Sequence, residues 1–344
     1  MTEVTEVNDT EGSEPSGDTR PVVRSLHRAV CVPLGEAPDD RAFMRVFYPA
    51  APTGSDSERL TGTIPPMRSD APMPVVVFLG GVNIGSDTYR WLAVELATRG
   101  VLAVTFDHVG ALTPGTSGLS PGLDLGALVP DAFGTRPSAT VVGPVLEALQ
   151  EIAADGLLAG LVDCDRVALG GHSAGATVAL LNARPEWFPG VRAVFSYAGH
   201  TVPVDALGHP PDTVLAVGPV PALLVSGELD GIISASADRY GVEPGSVGHS
   251  PVHRTFTDGV HAPTAAYEVV LAGANHLAIC NPEDPTTARG FLESTPMVDP
   301  QLSRSAFVEV LAAFLARHLG TDPSADPVAV AAGLPAVASV DSRG

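Results

Sequence analysis

The sequence predicts an α/β fold, with a mostly parallel central sheet covered by helices on both faces. Two observations lead there. Short, continuously apolar runs alternate along the chain with longer segments of helical period, the pattern made by strands buried on both faces and their crossover helices. The composition agrees: 45% of the residues are hydrophobic and only 5% aromatic, which suits a core of Val, Leu and Ala.

The elements follow in order. Residues 22–32 read as a strand and 43–48 as its hairpin partner, joined through a Pro-, Gly- and Ser-rich loop at 50–72 to the apolar run 74–79. A helix is expected over 87–99, closed by Gly100, and then a strand over 101–106. A long loop, 108–135, precedes a helix over 138–154. Residues 166–169 form the next buried strand, followed by a helix that Pro185 ends. Strands at 191–195, 222–225 and 267–271 and an amphipathic helix at 305–319 complete the set. The acidic stretch 1–20 reads as a disordered tail, 21–320 as one domain, and 321–344, without a clean period, as a flexible terminus.

Charge and composition exclude several functions. The formal net charge of −20 makes nucleic acid and anionic membrane surfaces poor partners. There is no Lys, which removes Schiff-base chemistry, pyridoxal phosphate enzymes and P-loop NTPases, each of which needs the amine. Cys31, Cys164 and Cys280 are widely spaced without a CxxC, so neither a disulfide framework nor a zinc site is expected. The N-terminus lacks the apolar core of a signal peptide and no apolar run is long enough for a bilayer, which reads as a cytoplasmic protein.

The first chemical motif is Gly171-His172-Ser173-Ala174-Gly175, a G-x-S-x-G between the apolar run ending at Gly170 and a helix-forming Ala-, Val- and Leu-rich segment. Strand, sharp turn and helix are the setting of a nucleophile elbow, which presents a serine hydroxyl on strained backbone. Gly118-Leu119-Ser120-Pro121-Gly122 has the same letters but no strand before it, and Pro121 stands where a helix would have to begin, so Ser120 reads as a loop residue. An elbow calls for an acid and then a histidine, each after a later strand. Asp230 follows the strand at 222–225, with Glu228 as its nearest competitor, and His276 follows the strand at 267–271. His108 precedes the serine and breaks the order, and His172 adjoins the nucleophile too closely to be its base. An oxyanion hole is expected from the Ala174 N–H and from Gly80-Gly81-Val82-Asn83 after the first buried strand, with Val82 N–H first and Gly81 second. Gly81, Asn83, His172 and Leu277, which flank these positions, are the candidate substrate contacts.

Other clusters are weaker. His249, His253 and His261 lie close in sequence but in Pro- and Gly-rich surroundings, so no metal site is expected. Asp124 and Asp131 read as solvated loop carboxylates. The connection between acid and base is long, and residues 241–263 either fold over the pocket as a partial cap or make a surface excursion on the far side.

Residues 22–320 resemble an α/β-hydrolase of the branch that contains bacterial cutinases, platelet-activating-factor acetylhydrolases, chlorophyllases and dienelactone hydrolases. The similarity lies in Phe78–Val82, the Gly171–Gly175 elbow, the acid turn Gly227-Glu-Leu-Asp-Gly231 and the histidine turn Gly273-Ala-Asn-His276. It implies the α/β-hydrolase fold and a serine esterase. The substrate is then a small-molecule ester with apolar parts, cleaved through an acyl-enzyme without a cofactor. The chain departs from the cutinases in having Tyr197-Ala-Gly-His200 where they carry a Trp, and in lacking their C-terminal disulfide. Ser173 stands where dienelactone hydrolases have cysteine, so their activity does not carry over. Acyl transfer or lactone opening on the same triad, and a non-catalytic binding protein on the same fold, remain the alternatives. The sequence leaves the oligomeric state unknown.

Overall fold

The central apolar run forms β3 (Met73–Leu79), in which every residue is buried. Its side chains alternate between two cores: Val75, Val77 and Leu79 enter one, Val76 and Phe78 the other. That division is what a strand covered on both faces requires. A computed structural model of the chain describes residues 21–33, 37, 39–113, 115–236, 250–286 and 288–344. The expected disordered tail, 1–20, lies outside them.

Around β3 the other strands assemble in sequence-skipping order. These are β1 (Val22–Cys31), β2 (Arg41–Ala50), β4 (Leu102–Thr113), β5 (Thr116–Leu119), β6 (Val162–His172), β7 (Val191–Tyr197), β8 (Ala222–Gly227), β9 (Ala266–Leu271) and β10 (Val337–Arg343). Among the described residues the sheet has ten strands in the order β1-β2-β4-β3-β6-β7-β8-β9-β10, with β5 paired to β4 outside that path. Strands β4 to β9 run parallel in this order, and the edge pairs β1–β2, β2–β4 and β9–β10 are antiparallel. The molecule is thus an α/β protein with a mostly parallel, mixed sheet.

Helices cover both faces. On one lie α2 (Arg90–Thr98) and α7 (Pro300–His318), which bury Leu92, Leu96, Phe307, Leu311 and Phe314 in the core that holds Val76 and Phe78. On the other lie α3 (Val142–Ala154) and α4 (Ala174–Asn182), with Val145, Leu149, Val178 and Leu180 packed against Val75 and Val77. Each such buried side chain contributes about 1.5–3 kcal/mol relative to exposure.

Three stretches differ from the sequence reading. The loop at 50–72 contains a short helix, α1 (Asp56–Thr61), whose N-cap Ser55 accepts the Glu58 N–H. The loop at 108–135 begins as strand, because β4 runs on to Thr113 and β5 pairs back against it. The terminus expected to be loose is folded. Asp326 caps α8 (Pro327–Ala332) by accepting the Val328 and Ala329 N–H groups, Ala331 is fully buried, and β10 closes the β9 edge of the sheet. A register shift between Val337 and Ser339 and the polar Asp341-Ser342-Arg343 end break the alternation by which a strand is recognised.

Candidate active site

Strand β6 ends at His172, and α4 begins at Ala174, so Ser173 alone makes the turn between them. It holds φ 55° and ψ −125°, a conformation that costs a non-glycine residue of order 1–3 kcal/mol. The Ser173 N–H donates to the Tyr197 carbonyl at 3.0 Å, which fastens the turn to β7. Two glycines make room for it. A Cβ on Gly171 would stand 2.5 Å from the Gly175 carbonyl carbon, and one on Gly175 would stand 2.2 Å from the Leu79 oxygen.

Asp230 follows β8 and caps the short helix α5 (Gly231–Ser234) through Oδ1, which accepts the Ile233 N–H at 2.8 Å. Its other oxygen, Oδ2, lies 2.7 Å from His276 Nδ1, and both side chains are buried. An anionic carboxylate there accepts the Nδ1 proton and leaves Nε2 as the basic nitrogen. Glu228 faces elsewhere: its Oε2 accepts the Gly273 N–H at 2.9 Å. Ser120 lies in the loop after β5, where its hydroxyl accepts the Gly122 N–H at 3.1 Å. His108 lies on β4 and donates from Nδ1 to the Arg41 carbonyl at 3.0 Å.

Ser173 and His276 line one cavity of about 220 Å³, together with Ala174. Leu123, Leu125 and Leu128 of the long loop after β5 form one wall, and Val202, Val204 and Leu207 after β7 form another. Ile232 and Ile233 of α5 and Thr177 and Leu181 of α4 also line it. Polar groups are few. They include His200, which burial pushes down to about 4, and Arg289, whose Nη1 donates to the buried Ser236 hydroxyl at 3.1 Å. Most of the residues that line the cavity are apolar.

The residues expected to touch substrate are absent from the cavity lining. His172 is fully buried. Its Nε2 donates to the His276 carbonyl at 3.0 Å, and Nδ1 accepts from the Tyr89 hydroxyl at 2.8 Å. Burial holds its pKa well below the usual histidine value, consistent with that neutral tautomer. Leu277 packs in the core beside α7, and Asn83 pairs with Leu119 through its N–H and its Oδ1. Gly81 does lie beside the serine, since a Cβ there would come 3.4 Å from Ser173 Cβ. Its N–H, however, donates to the Tyr89 hydroxyl at 3.1 Å and so is not available as an oxyanion donor, which leaves Val82 N–H as the expected one from this loop. None of Gly81, Asn83, His172 and Leu277 lines the cavity.

Nor do the described residues of the candidate cap. Val252, Phe256 and Val260 recur at helical spacing across α6 (Pro251–Arg254) and the turn after it, and that stripe is buried against the sheet. Residues 241–249, the rest of the candidate cap, lie outside the described set. So does His249, while His253 pairs with Glu268 at 2.7 Å and His261 is exposed. Asp124 pairs with Arg136, and Asp131 is exposed. Among the described residues no helix is long and apolar enough to cross a membrane.

Sequence reasoning passed over Glu293. Its carboxylate accepts N–H groups from both the Asp230 turn and the His276 turn. In sequence it is one of many acidic residues, and only its tertiary contacts distinguish it. The chain matches no protein-family model and no curated protein.

Proposed function

We propose that the protein is a serine hydrolase of the α/β-hydrolase fold that cleaves a carboxylic ester through an acyl-enzyme. The observation that carries this reading is the buried 2.7 Å bond from His276 Nδ1 to Asp230, with His276 and a strained Ser173 on the wall of the same apolar cavity.

The chemistry follows from those groups. His276 Nε2 takes the Ser173 hydroxyl proton as Oγ attacks the ester carbonyl. Asp230 fixes the ring tautomer and stabilises the imidazolium that forms. The N–H groups of Ala174 and Val82 donate to the developing oxyanion, and fixed donors of this kind supply several kcal/mol to the barrier reduction. The imidazolium protonates the leaving alkoxide, and a water, deprotonated by the same nitrogen, releases the acid. The Leu- and Val-lined walls favour an acyl or alcohol chain that is itself apolar. This sequence of steps needs no cofactor.

The test is hydrolysis of p-nitrophenyl esters of graded chain length. Ser173→Ala is expected to abolish turnover and Ser120→Ala to leave it within about twofold. Inactivation by Ser120→Ala, or full activity in Ser173→Ala, contradicts the reading.

A further inference from the structure

We propose that Glu293 is a positioning residue, whose single carboxylate joins the turn carrying Asp230 to the turn carrying His276 and holds acid and base in register. The inference rests on the triad reading.

Glu293 Oε1 accepts the Gly231 N–H at 2.9 Å and the Ser294 N–H at 2.8 Å, and Oε2 accepts the Leu277 N–H at 3.0 Å. Gly231 directly follows Asp230, and Leu277 directly follows His276. One side chain therefore bridges the residues next to both catalytic partners. The chain around it strengthens the tie. Asn275 Nδ2 donates to the Ser294 carbonyl at 2.8 Å, and Met297 N–H to the Gly273 carbonyl at 2.9 Å. Residues 293–297 thus form a strap across the two turns. The approach is close enough to require glycine at 231, where a Cβ would come 2.5 Å from the Ser294 nitrogen.

A carboxylate accepting three N–H groups is built to be an anion. Burial raises the Glu293 pKa and the nearby Asp230 carboxylate adds to the rise, while the N–H bonds of Gly231 and Ser294 and the charge on His276 oppose it. By reciprocity the anion favours the imidazolium of His276. Several other ionisable groups lie around that ring. Asp230 is bonded to Nδ1, and His172 (neutral) closes β6. Tyr197 of β7 and Cys280 are both held protonated by burial, His200 follows β7, and Arg289 stands on the cavity wall. Among them Asp230 and Glu293 are the two carboxylates, and Glu293 does not line the cavity.

Two substitutions separate reach from charge. In Glu293→Gln the amide oxygen serves the N–H groups of one turn while its NH2 opposes the other, and the charge is gone. Glu293→Asp keeps the charge but is one methylene too short to span both turns. Rates are expressed per phosphonate-reactive serine, so loss of folded protein does not count. For Glu293→Gln we expect kcat about tenfold lower, KM within about twofold, and a His276 titration midpoint, read by NMR, at lower pH. For Glu293→Asp we expect a similar loss of kcat with the midpoint close to wild type. A Glu293→Gln protein with wild-type kcat per site and an unmoved midpoint overturns the proposal, whatever its melting temperature. If Glu293→Gln does not fold, Glu293→Asp decides: wild-type kcat per site in that variant overturns the clamp. If the wild-type protein neither reacts with a phosphonate nor cleaves esters, the triad reading has failed instead. The NMR midpoint in Glu293→Gln then still tests the charge coupling between Glu293 and His276.

Discussion

His172 shows how one side chain joins the parts of the site. It takes a hydrogen bond from Tyr89, which itself accepts the Gly81 N–H, and it gives one to the His276 carbonyl. The loop at Gly81, the turn after β6 and the turn at His276 are therefore linked through a buried imidazole held neutral. In His172→Phe the ring volume is kept and both bonds are lost, leaving the Tyr89 hydroxyl and the His276 carbonyl short of a partner. Each such buried group costs about 1–3 kcal/mol, so the urea midpoint should fall measurably, and kcat with it. The role was not legible beforehand. Ser173, Asp230 and His276 could be picked out because each stands at a strand end in a fixed order. The partner of His172, by contrast, lies 83 residues away, and which way a turn residue points depends on such contacts. Glu293 escaped for the same reason, its bonds being made to backbone N–H groups 62 and 16 residues distant.

Among the elements, the apolar strands were the most legible and the sheet edges the least. A strand such as β3, buried on both faces, writes its position as a continuous Val-rich run, whereas β10 is an edge strand with one polar half and a bulge. The C-terminal segment is nonetheless integral: α8 packs on α7, and β10 pairs with β9, the strand that leads to His276. A chain ending at residue 320 would expose the β9 edge and uncover the α7 surface against which Ala331 packs. We expect that truncation to lower the melting temperature by several degrees and to increase aggregation. An unchanged melting temperature by calorimetry would mean that the segment adds nothing to the fold. The walls of the cavity were only partly foreseen. Loops after β5 and β7 form them, while the described part of the candidate cap turns its apolar stripe to the sheet instead.

The whole molecule carries a pH signature. Burial pushes His200 and His318 down to about 4 and His172 lower than an ordinary histidine, from a reference of 6.5 in the unfolded chain. Below pH 6.5 the unfolded chain binds protons that the folded one refuses. Stability supplied by these neutral rings is therefore complete above 6.5 and declines as pH falls toward 4, at up to about 1.4 kcal/mol per pH unit for each fully buried ring. Urea midpoints measured from pH 7.5 to 4.5 should fall through that window, and a flat profile would contradict the burial of these histidines. The central claim concerns the serine that lines the apolar cavity, and covalent capture reaches it most directly. The protein is treated with a fluorophosphonate and digested, and the modified peptide is mapped by mass spectrometry, with Ser173→Ala and Ser120→Ala alongside. The geometry predicts a single adduct on Ser173, absent from Ser173→Ala and retained in Ser120→Ala. A protein that takes no adduct, or takes it on Ser120, would contradict the assignment.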